Sequence, residues 1–453
     1  MFDIGAFNAY LEQHRERFLA ELAAFVTMPS VAAQNRGIQE MADRLTERFQ
    51  KLGADVRQSR AAADGSPVVY AEIGSGPRTL MIYNHYDVQP EDPVEQWETP
   101  PFALAQRDGR LYGRGVADNK GELLARIQAV ETWLATQGAL PLRIKWVIEG
   151  EEEIGSVHLE DWVRAHAAEL SADGILWEGG GYNEAGQITM AAGCKGIAYF
   201  ELRVKGPSHD MHSSYAPIVP NPAWRLVWAL STLKNPQDEI TIDGYAEHVR
   251  PLTSQEIALI DALPFEAEAF KANHGLDAFL NNLDARAANR RLYEIPTLTI
   301  CGLDSGYQGA GSKTVLPAEA RAKLDFRLVP DLTPALVENL LRSHLDTRGF
   351  DDIEIIDLGG ENPAKSPLDS PMRAAVVAAS KDTWHQEPVL IPWFAGSGPM
   401  YPLSVMLNIP VISAGGTWHP EARAHAPNEN ILEGDYFNAM RFAAALLHHF
   451  SQI

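Results

Sequence analysis

The chain has 453 residues, 45% hydrophobic and 22% charged, a balance that describes a folded protein of two or three domains and excludes a disordered one. Its 38 basic and 60 acidic residues leave a net charge of −22. That sign repels phosphate backbones and anionic lipid, so neither nucleic acid nor a membrane surface is an expected partner.

The first elements are amphipathic helices. Phe7, Leu11, Phe18, Leu22 and Phe25 recur at helical spacing, and Ile38, Met41, Leu45 and Phe49 repeat the pattern. Asp3, Glu12, Arg15 and Glu16 interrupt the apolar residues before Phe25, so this segment makes no signal-peptide core. No apolar run elsewhere reaches membrane-spanning length, and a cytoplasmic location is expected. The two cysteines, Cys194 and Cys301, have neither framework nor zinc-finger spacing and are expected as buried free thiols.

Short apolar runs at Val68–Ile73, Leu80–Tyr83, Leu142–Ile148 and Gly174–Trp177 read as buried strands, with a helix carrying Leu123, Ile127, Val130 and Leu134 between the second and third. Strands alternating with helices predict an α/β layer around a mostly parallel sheet. The style then changes. Phe200, Leu202 and Val204 alternate with charged residues, as do Ala320, Ala322, Leu324, Phe326 and Leu328, so each reads as a half-buried strand. With helices near Pro222–Leu233 and Pro334–Leu345 and strands near Thr297–Leu303 and Ile353–Leu358, the order is βαββαβ, a ferredoxin-like α+β domain. The polar stretch Gly244–Arg291 is a helical insertion in it. From Ser366 the first style returns, with a helix near Met372–Ala379, a strand near Pro410–Ser413 and a last helix from Ile431 to Phe450. The expected architecture is a catalytic domain (residues 1–196 and 365–453) interrupted by a lid domain (residues 197–364).

Five polar clusters follow predicted strands directly: Asn84–Asp87, Gly113–Gly121, Glu149–Glu153, Glu178, and the turn leading to His419 and His425. Ligands in open α/β sheets bind beyond the carboxyl ends of strands, so these groups should converge. Each signal alone is short, and an acidic triplet such as Glu151–Glu153 is often just a solvated face or a helix start. Together they place two histidines among carboxylates, a donor set for zinc or manganese. A glycosidase built on two of these carboxylates would leave both histidines idle.

His85-Tyr86-Asp87-Val88-Gln89-Pro90, Gly113–Gly121, Glu152-Glu153-x-Gly155-Ser156 and Ala424-His425-Ala426-Pro427-Asn428-Glu429 resemble the motifs of the M20 family of metallopeptidases over nearly the whole chain. That resemblance implies two divalent metal ions per subunit, Zn2+ foremost with Mn2+ or Co2+ as alternatives. His85, Asp118 and Glu178 would hold one, and Asp118, Glu153 and His425 the other. Asp87 would orient His85, and Glu152 would be the general base. His212 would donate to the oxyanion from the partner of a homodimer formed through the lid, and Arg327 would grip a substrate carboxylate, with Asn221, Thr314 and Ser397 as further substrate contacts. The implied reaction is hydrolysis of the amide bond of a small carboxylate-bearing peptide, of dipeptidase or carboxypeptidase type; an N-acyl amino acid deacylase and an inactive binding member are the alternatives. Glu178 is the residue usual in carboxypeptidase and acylase branches, where carnosinase-like enzymes have Asp, and Trp393–Pro399 lacks their Arg-Glu pair.

Overall fold

In the computed structural model, which describes residues 2–453, the four predicted apolar strands lie in one nine-stranded sheet. Its path runs Asp55–Ser59, Val68–Ile73, Arg143–Glu149, Thr79–His85, Gly174–Trp177, Val411–Ala414, Ile188–Ala191, Val389–Ile391, with Gly181–Tyr182 paired beside Ile188–Ala191. The four strands from Arg143–Glu149 to Val411–Ala414 are mutually parallel, and the outer pairings are mostly antiparallel.

Both faces of this sheet are covered, which is why its strands read as unbroken apolar runs. Leu80, Ile82, Ile144, Trp146 and Ile148 face a core built with the helices Lys120–Gln137, Pro371–Trp384 and Glu433–Phe450. Their neighbours Met81, Tyr83 and Val147 face a second core with Trp162 and Leu403. The two-residue period of a strand makes that split, and each aliphatic side chain so buried contributes about 1.5–3 kcal/mol. The expected single N-terminal helical segment is broken at His14 into Ile4–Gln13 and Arg15–Val26. Cys194 is buried as expected, but Cys301 is exposed, because its strand, Thr297–Ser305, forms an edge of the smaller sheet.

That smaller sheet is antiparallel throughout, in the order Thr297–Ser305, Glu319–Leu328, Gly196–Lys205, Glu354–Glu361. Its alternating strands put Phe200, Leu202, Leu324 and Phe326 against Leu226, Val337 and Leu341 of two helices on one face, the predicted βαββαβ lid. Both helices start with a cap and a proline, Asn221-Pro222 and Thr333-Pro334; the cap side chain accepts a backbone N–H and proline presets the first turn. The insertion supplies three helices, Ser254–Ala262, Ala267–His274 and Ala285–Glu294.

Glu256, buried on the first of these helices, ties the insertion to the rest of the chain. Its carboxylate accepts from Arg250 Nη1 and Nη2 (3.2 and 3.1 Å), from the Thr253 amide (2.7 Å) and from Lys365 Nζ. Burial alone would raise its carboxyl, but these donors outweigh it and bring it down to about 2. A depressed carboxylate stabilises the fold above its unfolded pKa and loses that contribution as pH falls toward the folded value. Glu256→Gln should therefore lose about 1–3 kcal/mol at neutral pH. In denaturant titrations the gap to the wild type should narrow as pH drops from about 5 to about 3; a gap independent of pH would refute the assignment.

Candidate active site

His85 ends its strand opposite Glu149, and Trp177 ends its own opposite Ser413, so the parallel strands deliver His85, Glu152, Glu153 and Glu178 to one edge. Asp118 arrives differently. The strand before it, Arg110–Tyr112, belongs to a separate three-stranded sheet with Ala105–Arg107 and Asn430–Leu432, not to the central sheet. The loop Gly113–Asn119 is then held over the edge by Glu429. Its Oε2 accepts from Gly115 N (2.9 Å) and Arg114 Nη1 (2.8 Å), and its Oε1 from Ala117 N (2.8 Å) and Asp118 N (3.0 Å). Gly121 permits this packing, since a Cβ there would lie 2.1 Å from Val116 O.

Asp118 stands between the two histidines. Its Oδ1 is 2.9 Å from His85 Nε2 and its Oδ2 is 3.1 Å from His425 Nε2. Glu178 Oε2 lies 3.3 Å from His85 Nε2 and has no hydrogen-bond partner although buried. On the other side Glu153 Oε2 is 3.1 Å from His425 Nε2. The acidic triplet forms neither strand nor open loop: Glu152–Ile154 is one turn of 3-10 helix, closed by Gly155 at φ 88. The turn gives its two glutamates different surroundings. Glu153 is nearly buried and accepts from Gln89 N (3.2 Å) and Nε2 (2.8 Å). The Glu152 carboxylate makes no hydrogen bond among the described residues and lies 3.9 Å from His85 Nε2.

Asp87 does two things. His85 Nδ1 lies 3.0 Å from its backbone carbonyl and 3.3 Å from its carboxylate, which accepts mainly from the amides of Glu152 (3.2 Å) and Glu153 (3.0 Å). Residues 85, 152 and 153 are thus set by one residue, His85 chiefly through the Asp87 carbonyl and the two glutamates through the Asp87 carboxylate. Beneath them the buried Glu122 accepts from Gly179 N, and Ser413 Oγ donates to Glu178 O, fixing the exit of that strand. Glu429, Glu122 and Ser413 were not singled out from the sequence. Glu429 and the buried Arg114 do fall inside quoted motifs, and a charge pair set in Gly-rich loops was the available sign.

The site is short of positive charge. Burial raises the Glu152 and Glu178 carboxyls. Bonds to Asp118 and Glu153 lift the His425 imidazole to about 10. The Asp118 carboxyl, against the pull of burial, is held below its ordinary range by His425 and His85. Five carboxylates, those of Asp87, Asp118, Glu152, Glu153 and Glu178, face two imidazoles, and Glu178 keeps a buried oxygen unsatisfied. This donor set fits divalent cations, and ligand atoms of His85, Asp118 and Glu153 all lie within 4.8 Å of one another.

A cleft of about 490 Å³ opens over this cluster, lined by Asp118, Glu152, Glu178, His425 and, opposite, Ser397 and Trp418. Residues 81–449 match the model of Peptidase family M20/M25/M40. The chain belongs to the M20 peptidase family. An M20 metallo-carboxypeptidase of Sulfolobus solfataricus shares its structure at a TM-score of 0.91 and 38% identity, covering 96% of this chain and 99% of that one. Human carnosine dipeptidase 1 gives a TM-score of 0.82 at 28% identity, with both chains covered fully. The Cys-Gly metallodipeptidase of Schizosaccharomyces pombe is 29% identical over 475 residues, 98% of this chain and 97% of that protein. This M20 chain is a metal-dependent peptide hydrolase with a catalytic and a lid domain.

The remaining candidates of this M20 peptidase sit apart from the carboxylates. Arg327 Nη1 donates to Ser397 Oγ (3.0 Å), joining the lid to the cleft wall, and pairs with Asp325 at 3.3 Å. His212 is exposed on the lid, its Nδ1 2.9 Å from Ser214 Oγ. Asn221 caps a helix, and Thr314 is exposed with its carbonyl accepting from Ser213 N. None of these three lines the cleft.

Proposed function

We propose that this M20 peptidase hydrolyses the amide bond of dipeptides carrying a free C-terminal carboxylate, with two divalent ions, zinc foremost, held by His85, Asp118 and Glu178 and by Asp118, Glu153 and His425. The observation that carries the reading is the position of Asp118, one oxygen toward each imidazole. When bound, such a pair of ions supplies an acidified water and polarises the scissile carbonyl. The residues do the rest. Glu152, free of hydrogen bonds, takes the proton of the attacking water and hands it to the leaving amine. Asp87 keeps Glu152 and the ligand Glu153 in separate orientations through their amides. Arg327 receives the substrate carboxylate beside Ser397, in a charge-assisted contact.

Carboxypeptidase action on longer chains is the second reading, favoured by 38% identity to the Sulfolobus solfataricus enzyme. A panel of dipeptides, N-acyl amino acids and longer peptides, each with free and amidated C-termini, tests both. Dipeptides with free C-termini should be cleaved fastest; preference for N-acyl amino acids would replace the peptidase reading with a deacylase one.

Residues 197–364 would form the lid of a homodimer. Trp224 and Trp228 stack on one exposed helix face of it, and Ile218, a few residues before that helix in the chain, is 79% exposed; exposed apolar groups of this kind are what a subunit contact covers. Across the two-fold, His212 would reach the partner's cleft as an oxyanion donor, with Asn221 and Thr314 near it. If so, Glu152→Gln and His212→Ala, each nearly inactive alone, should recover roughly a quarter of wild-type sites when subunits are mixed. No recovery after verified subunit exchange would mean that His212 serves its own chain. Among the described residues no helix is long and apolar enough to cross a membrane. Two unpaired cysteines fit a reducing compartment, and we assign the enzyme to the cytoplasm.

A further inference from the structure

Behind Arg327 lies a second pocket of about 430 Å³ that the mechanism does not use. One wall is the last helix of the insertion, Ala285–Glu294, and the turn before it. Ala288 and Leu292 are one turn apart and so share a face, and Ile295, extended just past the helix end, lines the pocket with Phe279, Leu280 and Leu283. This wall is apolar yet incompletely covered: Leu280 is 50% exposed and Leu292 47%. The polar groups around it are largely satisfied among themselves. Asp238 pairs with Lys234 and with Arg291 Nη2 (3.0 Å).

The pocket is tied to the catalytic cleft. Lys195 is buried where the chain enters the lid, and its Nζ donates to Leu292 O (2.9 Å) and Ile295 O (2.7 Å) at the end of that helix. Trp393 Nε1 donates to Tyr293 O (3.1 Å), and the residues that follow Trp393 run directly into the cleft wall, Phe394 to Ser397. Ala395 lines both cavities. Arg327 lines the pocket and bonds Ser397 of the cleft. A carboxylate gripped by Arg327 therefore has the carboxylate cluster on one side and this apolar wall on the other. The α-carbon next to that carboxylate would stand at the junction, and its side chain would have this partly open apolar pocket to enter.

We propose that this pocket receives the side chain of the substrate's C-terminal residue and selects a large apolar one, leucine or phenylalanine, over glycine. The inference rests on the reading that Arg327 holds the substrate carboxylate. Lys195 and Trp393 act as positioning residues, since they fix the pocket wall relative to the cleft without reaching the reacting atoms.

The test uses the metal-loaded enzyme and a dipeptide series with one N-terminal residue and Gly, Ala, Leu or Phe at the C-terminus. In the wild type kcat/KM should rise at least tenfold from Gly to Leu, chiefly through KM, the scale on which apolar pockets discriminate. Ala288→Trp, which fills the pocket, should bring the Leu-to-Gly ratio close to one. Leu283→Ala, which enlarges it, should shift preference from Leu toward Phe, and thermal melts of both variants check that the fold persists. A wild-type ratio near one, or equal losses for all C-terminal residues in folded Ala288→Trp, would overturn the proposal. Arg327→Ala and amidated substrates separate it from the reading beneath it. If Arg327→Ala abolishes the preference for a free carboxylate while the Leu-to-Gly ratio in the wild type is flat, only the pocket assignment fails. If Arg327→Ala leaves that preference intact, both fail.

Discussion

Asp118→Ala should abolish hydrolysis and remove bound metal in the same step. The side chain presents one oxygen to His85 and the other to His425, so it is the single group shared by both halves of the donor set. Without it, His85 Nε2 has Glu178 as its near carboxylate and Glu152 farther off, and His425 Nε2 has Glu153. Two donors rarely retain a divalent ion against chelation, because structural and catalytic sites take three or four protein ligands. Metal analysis of the purified variant should give less than one ion per chain where the wild type gives about two. Dialysis of the wild type against a strong chelator should have the same effect on activity, and zinc or manganese should restore it. Glu429→Gln provides the graded control. It leaves every ligand in place but weakens the bonds that hold the loop bearing Asp118, and losses of such supporting contacts run at roughly 10–100-fold in metal affinity. Full activity in the chelated wild type would remove the metal reading altogether.

The contrast between Asp118 and Glu429 also shows what a sequence can and cannot display. The central strands announced themselves, since burial on both faces leaves continuous runs such as Leu142–Ile148. The lid announced itself by alternation, since one of its faces is wet and the other packs on helices, as the burial pattern of Gly196–Lys205 shows residue by residue. The ligand clusters stood out because they follow strand ends. The missed features depend on contacts between distant segments. Strands Asp55–Ser59 and Val389–Ile391 lie on the margins of the sheet and are partly exposed, so their residues carry no buried run. The small sheet that carries Arg110–Tyr112 is completed by Asn430–Leu432, some 320 positions later, and spacing cannot reveal that pairing. Glu429 looked like one more acid in a motif, and only its four bonds to the Arg114–Asp118 loop show its task.

Glu152→Gln and Glu153→Gln should separate a proton carrier from a ligand, although the two residues are adjacent. Within one 3-10 turn their side chains point apart, and Asp87 holds both amides so that neither can swing to replace the other. Glu153 is pinned by Gln89 and His425, the arrangement of a group with a fixed partner. Glu152 has no hydrogen-bond partner and lines the cleft, the arrangement of a group that must meet a water and then an amine. In Glu152→Gln the metal content should stay near wild type while kcat falls by roughly 10²–10⁴, the range that general-base catalysis contributes. KM should change little, because the amide occupies the same volume and leaves Arg327 untouched. Glu153→Gln should lower the affinity for one ion, and excess metal should restore much of its activity. Excess metal should do nothing for Glu152→Gln. The decisive comparison is therefore kcat at saturating substrate and saturating zinc, with metal stoichiometry measured on the same samples. Equal metal loss in the two variants, or rescue of Glu152→Gln by zinc, would place both glutamates on the ions and leave the proton to another group.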